Sequence, residues 1–242
     1  MRGGLRIGCI IPALNEEAAI GRVVAAVPRW VDAIVVVDNG SSDATAARAG
    51  EAGAAVVRQQ ERGYGAACLA GMAALPATDV VVFLDGDYSD FPEDMHTLVD
   101  PIVARRADLV IGSRVAGNAE PGALTPQQRF GNWLATRLVR GIWSVAYTDL
   151  GPFRAIRRAS LDALGMADRT FGWTVEMQIK AARHGLAALE VPVRYRRRIG
   201  ISKISGTLKG TVLAGTRILS LIAREAALGR RGTEKQAQSR EQ

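Results

Sequence analysis

Asp85 and Asp87 flank Gly86 at the end of the apolar run Val80-Val81-Val82-Phe83-Leu84. Two carboxylates this close repel each other unless a positive charge lies between them. Hard oxygen ligands at this spacing suit Mg²⁺ or Mn²⁺ carrying a diphosphate, and Gly86 lets backbone approach closely. The apolar run, mostly β-branched, reads as a strand buried on both faces, as in a parallel sheet. The two acids then fall at the carboxyl end of a central strand, where open α/β sheets bind ligands. Taken alone, the pattern also describes a strand ending in a solvated Asp-Gly turn.

The surrounding chain supplies a frame for these acids. Residues 6–11 read as a strand stopped by Pro12, followed by a helix over 16–27 with Asn15 as its cap. Strands over 33–37, 54–57, 79–85 and 109–111 alternate with helices over 44–52, 65–75 and 92–105. This alternation predicts an α/β fold: a doubly wound, mostly parallel sheet flanked by helices. Glu16, Asp38, Asp85 and Asp87 then share one rim. Residues 115–125 carry Gly117, Asn118, Pro121 and Gly122 and read as an irregular loop, either a lid or a surface excursion. A helix over 126–145 carries Arg129, Arg137 and Arg140. A turn over 149–153, a short strand and helix, a helix over 175–184 and a strand over 187–195 broken by Pro192 follow. The division expected is a single domain over 1–206, an amphipathic helix over 207–228 and a disordered polar tail over 229–242.

The 242 residues are 48% hydrophobic, enough for a substantial core, and carry a net charge of +7. That charge is unevenly placed. Residues 1–121 hold 10 Lys and Arg against 16 Asp and Glu, net −6, whereas residues 122–242 hold 21 against 8, net +13. A basic second half suggests a phosphorylated substrate, a polyanion or an anionic membrane surface. Aromatic residues are few and no RNA- or DNA-binding signature appears, so nucleic acid is not the expected partner. Cys9 and Cys68 lack CxxC spacing, which argues for a reducing compartment and against a zinc site. The two histidines, His96 and His184, make a His-based metal centre or triad an unlikely basis for function.

Four local patterns line up in order: Ile11-Pro12-Ala13-Leu14-Asn15-Glu16-Glu17, Val37-Asp38-Asn39-Gly40-Ser41-Ser42-Asp43, Arg62-Gly63-Tyr64-Gly65 and Asp85-Gly86-Asp87. Together they resemble family 2 glycosyltransferases of the GT-A fold. A later set resembles the polyprenyl-phosphate branch, the dolichol-phosphate mannose and glucose synthases. It comprises Gly112-Ser113-Arg114, Arg129-Phe130-Gly131-Asn132, Asp149 to Arg154, Glu176, Glu190-Val191-Pro192 and Arg198-Ile199-Gly200-Ile201-Ser202-Lys203.

The resemblance implies an inverting, metal-dependent transfer of a hexosyl group from a nucleotide sugar, UDP-sugar favoured over GDP-mannose, to a polyprenyl phosphate. It places Pro12, Ala13, Leu14, Glu16, Asp38, Gly63, Gly65, Asp85, Gly86 and Arg114 at the donor, and Asp85, Asp87 and Ser89 at Mg²⁺ or Mn²⁺. Ser89 stands where relatives often carry Gln. Arg129, Arg198, Ser202 and Lys203 fall to the acceptor phosphate, and Arg forks suit phosphate oxygens. Asp87 and Arg198 are the principal catalytic candidates. A phosphate acceptor is already anionic and requires no general base; a hydroxyl acceptor would, with Glu176 and Asp149 as candidates. A structural reading of these two acids, paired with nearby arginines, stands beside the catalytic one. A non-catalytic nucleotide-sugar binding protein is the alternative of another class.

Many members of that branch continue into transmembrane helices, but no window of this sequence has the roughly 18 apolar residues of a membrane span. The 208–228 stretch is compatible with an amphipathic helix on an anionic membrane, which would make the protein cytoplasmic and peripheral at the inner face. It is equally compatible with packing on the domain or, in a homo-oligomer, on a second subunit.

Overall fold

The computed structural model describes residues 1–200 and 214–227. A seven-stranded sheet runs through the molecule in the order β3-β2-β1-β4-β6-β5-β7. Its members are β1 (Ile7–Ala13), β2 (Ala33–Asp38), β3 (Ala55–Arg58), β4 (Val80–Phe83), β5 (Leu109–Ala119), β6 (Arg154–Arg157) and β7 (Ala188–Tyr195). β1 pairs parallel with β2 and β4, and β2 with β3. β6 pairs antiparallel with both β4 and β5, and β5 pairs parallel with β7. Six strands therefore share a direction and only β6 opposes them, as the expected mostly parallel α/β fold requires.

Burial follows from the apolar runs. All four residues of β4 are buried, and in β1 only Pro12 is partly exposed. One core lies on the face covered by α1 (Ile20–Ala26), α2 (Thr45–Glu51) and α4 (Met95–Val103), and includes Ile11, Val82, Leu98 and Ile102. On the other face α3 (Tyr64–Ala74), α6 (Arg158–Leu164) and α7 (Trp173–Arg183) bury Ile10, Phe83, Leu161, Trp173 and Met177. Phe83 and Trp173 meet edge-on with ring centroids 5.8 Å apart, a geometry suited to aromatic quadrupoles.

Three local expectations are corrected. α1 begins at Ile20, and no side chain caps it. Asn15, expected as the cap, instead has φ 53° and its Oδ1 accepts from the Ser42 amide at 2.8 Å. An Asn that tolerates left-handed backbone can tie two loops together instead of starting a helix. Second, β5 continues through Ala119 where an irregular loop was expected. Pairing of Asn118 and Ala119 with Arg194 and Tyr195 overrides the local turn chemistry, and the extra residues between Ser113 and Asn118 form a bulge. Third, β7 passes through Pro192 without a break. Its neighbour there is Ser113, just before the pairing shifts, and proline is tolerated at such irregularities.

α5 (Pro126–Trp143) has the capping box of Thr125 and Gln128. A further helix, α8, spans residues 214–227. Its Leu221 and Ile222 are buried with Ala135 and Val139 of α5 and with Val175 and Ile179 of α7. The packed alternative thus describes this face of α8. No helix among the described residues is long and apolar enough to cross a membrane. Ser202, Lys203 and the 229–242 tail lie outside the described residues.

Candidate active site

Three of the parallel strands, β1, β2 and β4, end at the same rim. β1 ends in Pro12 and Ala13, β2 ends at Asp38, and β4 runs directly into Asp85-Gly86-Asp87. The ends of β1 and β4 border a cleft of about 440 Å³ whose lining includes Pro12, Ala13, Leu14, Glu16, Gly63, Asp85, Gly86, Asp87 and Arg198. The packing explains Gly86, because a Cβ there would lie 3.2 Å from the Pro12 carbonyl oxygen. The cleft also contains Asn39, Arg62, Tyr64, Thr170 and Phe171, none of which the sequence reading assigned to the site.

The acids in the cleft are held firmly. Asp87 Oδ1 accepts from the Ser89 amide at 2.9 Å and from the Ser89 hydroxyl at 2.5 Å, while Oδ2 lies 3.1 Å from the Arg198 guanidinium. Arg198 also reaches Glu16 at 2.7 Å. Asp85 Oδ1 accepts from the Tyr64 hydroxyl at 3.1 Å. Burial, followed by the neighbouring charge of Asp87, raises the Asp85 pKa from 3.8 to about 7, against the opposing effects of Tyr64, Arg114 and Arg198. Asp90 is 1% exposed, and neither of its carboxylate oxygens has a hydrogen-bond partner. Burial and then the charges of Asp85 and Asp87 push its pKa upward.

This donor set fits a hard divalent cation that shares its coordination with a ligand. Among the described residues, no group of three or more His, Cys, Asp or Glu side chains could hold a metal alone. Asp85 and Asp87 offer carboxylate oxygens to one cleft, leaving other ligand positions to a diphosphate or water, as is usual for Mg²⁺. Ser89 is fully buried and directs its hydroxyl at Asp87. In this arrangement the hydroxyl expected as a metal ligand orients Asp87.

The other expected residues are distributed unevenly. Asp38 borders a neighbouring recess of about 280 Å³, and its carboxylate accepts from the Ser41 amide at 3.0 Å. Asn39 enters the cleft lining instead. Its amide donates to the carbonyls of Gln59 at 3.1 Å and Glu61 at 2.7 Å, and its Oδ1 accepts from Gly63 N at 2.8 Å. A carboxylate could not make the two donations, which accounts for Asn at this position.

Gly63 and Gly65, expected at the donor, make room for protein. A Cβ on either would lie about 2 Å from the carbonyl oxygen of Arg169 or Asp168. Gly65 N donates to Thr170 O at 3.0 Å and Ala66 N to Arg169 O at 2.9 Å. The start of α3 is therefore covered by the 165–172 loop, although Gly63 retains an edge in the cleft.

Arg114, Arg129 and Asp149 line a second cavity of about 510 Å³, together with Asn132, Trp133, Arg137, Arg140 and Tyr147. Arg114, expected at the donor, lines this cavity from the β5 irregularity, and its charge still reaches Asp85. Its guanidinium donates to Asp149 twice, at 2.8 and 2.7 Å, and its amide donates to the same carboxylate at 2.8 Å. Asp149 is fully buried and is committed to this pair. Glu176 lines neither cavity: it accepts from the Ala167 and Asp168 amides and pairs with Lys180 at 2.8 Å. Both expected general bases therefore have structural partners. Phe130 and Trp133 on α5 are 62% and 51% exposed beside the second cavity, and Arg137 lies over the Trp133 ring.

Residues 9–165 match Glycosyl transferase family 2. The chain belongs to that family. An uncharacterized glycosyltransferase of Mycobacterium tuberculosis is 37% identical over 87% of this chain and 95% of its own length. An undecaprenyl-phosphate mannosyltransferase of Micrococcus luteus is 31% identical over 91% of this chain and 96% of its own. Among solved structures, glucosyl-3-phosphoglycerate synthase from M. tuberculosis in complex with Mn²⁺, UDP and glucosyl-3-phosphoglycerate superposes with a TM-score of 0.73 at 26% identity, covering 93% of this chain and 81% of that one. The protein is a glycosyltransferase of GT-A architecture.

Proposed function

We propose that this glycosyltransferase moves a hexosyl group, with inversion, from a UDP-sugar to a polyprenyl phosphate. The observation that carries this reading is the pairing of two unlike cavities. One presents Asp85 and Asp87 beside the β1 terminus. The other gathers Arg114, Arg129, Arg137 and Arg140. The named relatives add support, one transferring mannose to undecaprenyl phosphate and one crystallised with Mn²⁺ and UDP.

In this reading, Pro12, Ala13, Leu14 and Glu16 seat the nucleoside and Asp85 and Asp87 hold Mg²⁺ or Mn²⁺. The bound cation would offset charge on the departing diphosphate. Ser89 fixes the rotamer of Asp87. Arg198, already placed between Glu16 and Asp87, orients phosphate oxygens at the cleft mouth. Arg129, with Arg137 and Arg140 beside it, holds the acceptor phosphate, whose anionic oxygen attacks the anomeric carbon as the bond to the diphosphate breaks. No side chain has to remove a proton. The pairing of Asp149 with Arg114 and of Glu176 with Lys180 favours this acceptor over a hydroxyl. Exposed Phe130 and Trp133 supply an apolar approach for a lipid chain, and with the α5 arginines an attachment to an anionic membrane surface.

The test uses radiolabelled UDP-glucose and GDP-mannose with undecaprenyl phosphate and Mn²⁺. Label in the organic phase only with UDP-glucose is the expected result. Label from GDP-mannose would reassign the donor, and release of free sugar without lipid product would remove the acceptor assignment.

A further inference from the structure

Thr170 and Phe171 line the donor cleft, yet they sit in a loop between α6 and α7 with no strand to support it. Arg169 pairs with Glu61 at 2.5 Å and Lys180 donates to the Gly165 carbonyl at 2.6 Å; three further contacts hold this loop. The start of α3 donates to its carbonyls, as described above. Glu176 receives the amides at its base, Asp168 N at 2.8 Å. The third runs through Asp168 itself, whose side chain is fully buried. Its Oδ1 accepts from the Thr170 and Gly172 amides at 2.8 and 3.0 Å, closing the loop on itself. Its Oδ2 faces the Arg217 guanidinium of α8 at 2.8 and 3.0 Å. Leu221, one turn further along α8, lies behind the same loop: a Cβ on Gly172 would come within 2.9 Å of its Cδ2.

We infer that Arg217 is a positioning residue for donor binding, holding the Thr170–Phe171 wall of the cleft through Asp168. This inference rests on the donor-cleft reading above. It gives α8 a role in the site that its amphipathic sequence does not suggest. A buried carboxylate with one oxygen serving its own loop and the other paired to a distant helix transmits the helix's position to that loop. Removing the partner leaves one buried Asp168 oxygen without its ion pair, and the loop can then relax away from the cleft.

The experiment uses the full chain with Arg217→Gln and Arg217→Lys. Calorimetric titration with UDP, and in parallel GDP, in the presence of Mn²⁺ measures donor-site affinity. Tryptic cleavage after Arg169 measures loop attachment without nucleotide, and thermal melting checks the fold. The expected result for Arg217→Gln is a Kd for nucleotide raised about tenfold, a donor KM raised in step and kcat within about twofold. Cleavage after Arg169 should accelerate, and Arg217→Lys should recover nucleotide affinity to within about threefold of the unaltered protein. Unaltered nucleotide affinity in Arg217→Gln, or an equal loss in both variants, overturns the inference while leaving the donor cleft standing. Failure of the unaltered protein to bind either nucleotide overturns the cleft reading and this inference with it.

Discussion

The two cavities are built from opposite materials. The donor cleft draws its chemistry from strand ends, and its acids are fixed by neighbours: Asp87 by Ser89, Asp85 by Tyr64. The second cavity draws its chemistry from the β5 bulge and one face of α5, a helix with three arginines and no acid. Only Arg114 there is locked, by Asp149; Arg129, Arg137 and Arg140 pair with no carboxylate among the described residues. The contrast teaches that a cation and diphosphate of fixed geometry need preorganised ligands. A phosphate on a long, variable tail is served by cations that can adjust.

This contrast can be broken most directly at Asp87. Asp87→Ala should lower Mn²⁺-dependent transfer by about 10³-fold, in line with loss of a central electrostatic group, and retention of near-normal turnover would remove the metal assignment. Next comes the locked pair. Arg114→Ala leaves Asp149 buried without its partner and should cost about 3 kcal/mol of stability in urea denaturation; a loss below about 1 kcal/mol would show that Asp149 finds other compensation. Arg129→Ala sharpens the division of labour. Acceptor KM should rise about tenfold, the loss of one charge-assisted contact, with nucleotide affinity unchanged, and parallel loss of both would merge the two cavities into one functional unit. Trp133→Ala should reduce sedimentation with anionic liposomes by about threefold, as loss of an interfacial aromatic would, while leaving transfer to a short-chain acceptor intact.

A separate readout is the pH dependence of stability. The Asp85 pKa rises from 3.8 to about 7 in the fold, so the folded protein retains a proton that the unfolded chain loses. The Asp85 contribution to stability of the metal-free protein should therefore fall as pH rises from about 4 to about 7 and then level off, with Asp90 adding a slope of the same sign. Melting curves in EDTA across that range should flatten in Asp85→Asn; an unchanged slope would assign the dependence to another group.

The chain announces the rim acids because each lies within four residues of an apolar strand end, where local pattern and topology agree. The helices over 126–143 and 173–183 are legible for the same reason, having clear periodicity. What stays hidden is set by contacts distant in sequence. Arg114 reads as a donor residue after an expected strand over 109–111, but β5 continues past it, and at the irregularity in the pairing with β7 it lines the second cavity. Gly63 and Gly65 announce close approach without saying what approaches, and the occupant is a loop a hundred residues later. Glu176 shares a family motif, yet its partners are amides of that loop. Asp168 carries no local signal, since its meaning depends on Arg217.

β6 gives the molecule a particular order of completion. It is the strand wedged between β4 and β5, and it comes after α5 in the chain. During synthesis the first five strands must therefore wait, with the inner edge of β4 bare, until residue 157 has left the ribosome. A product ending earlier would leave a central sheet edge open to foreign strands, so premature termination should yield aggregates instead of a free-standing nucleotide-binding half.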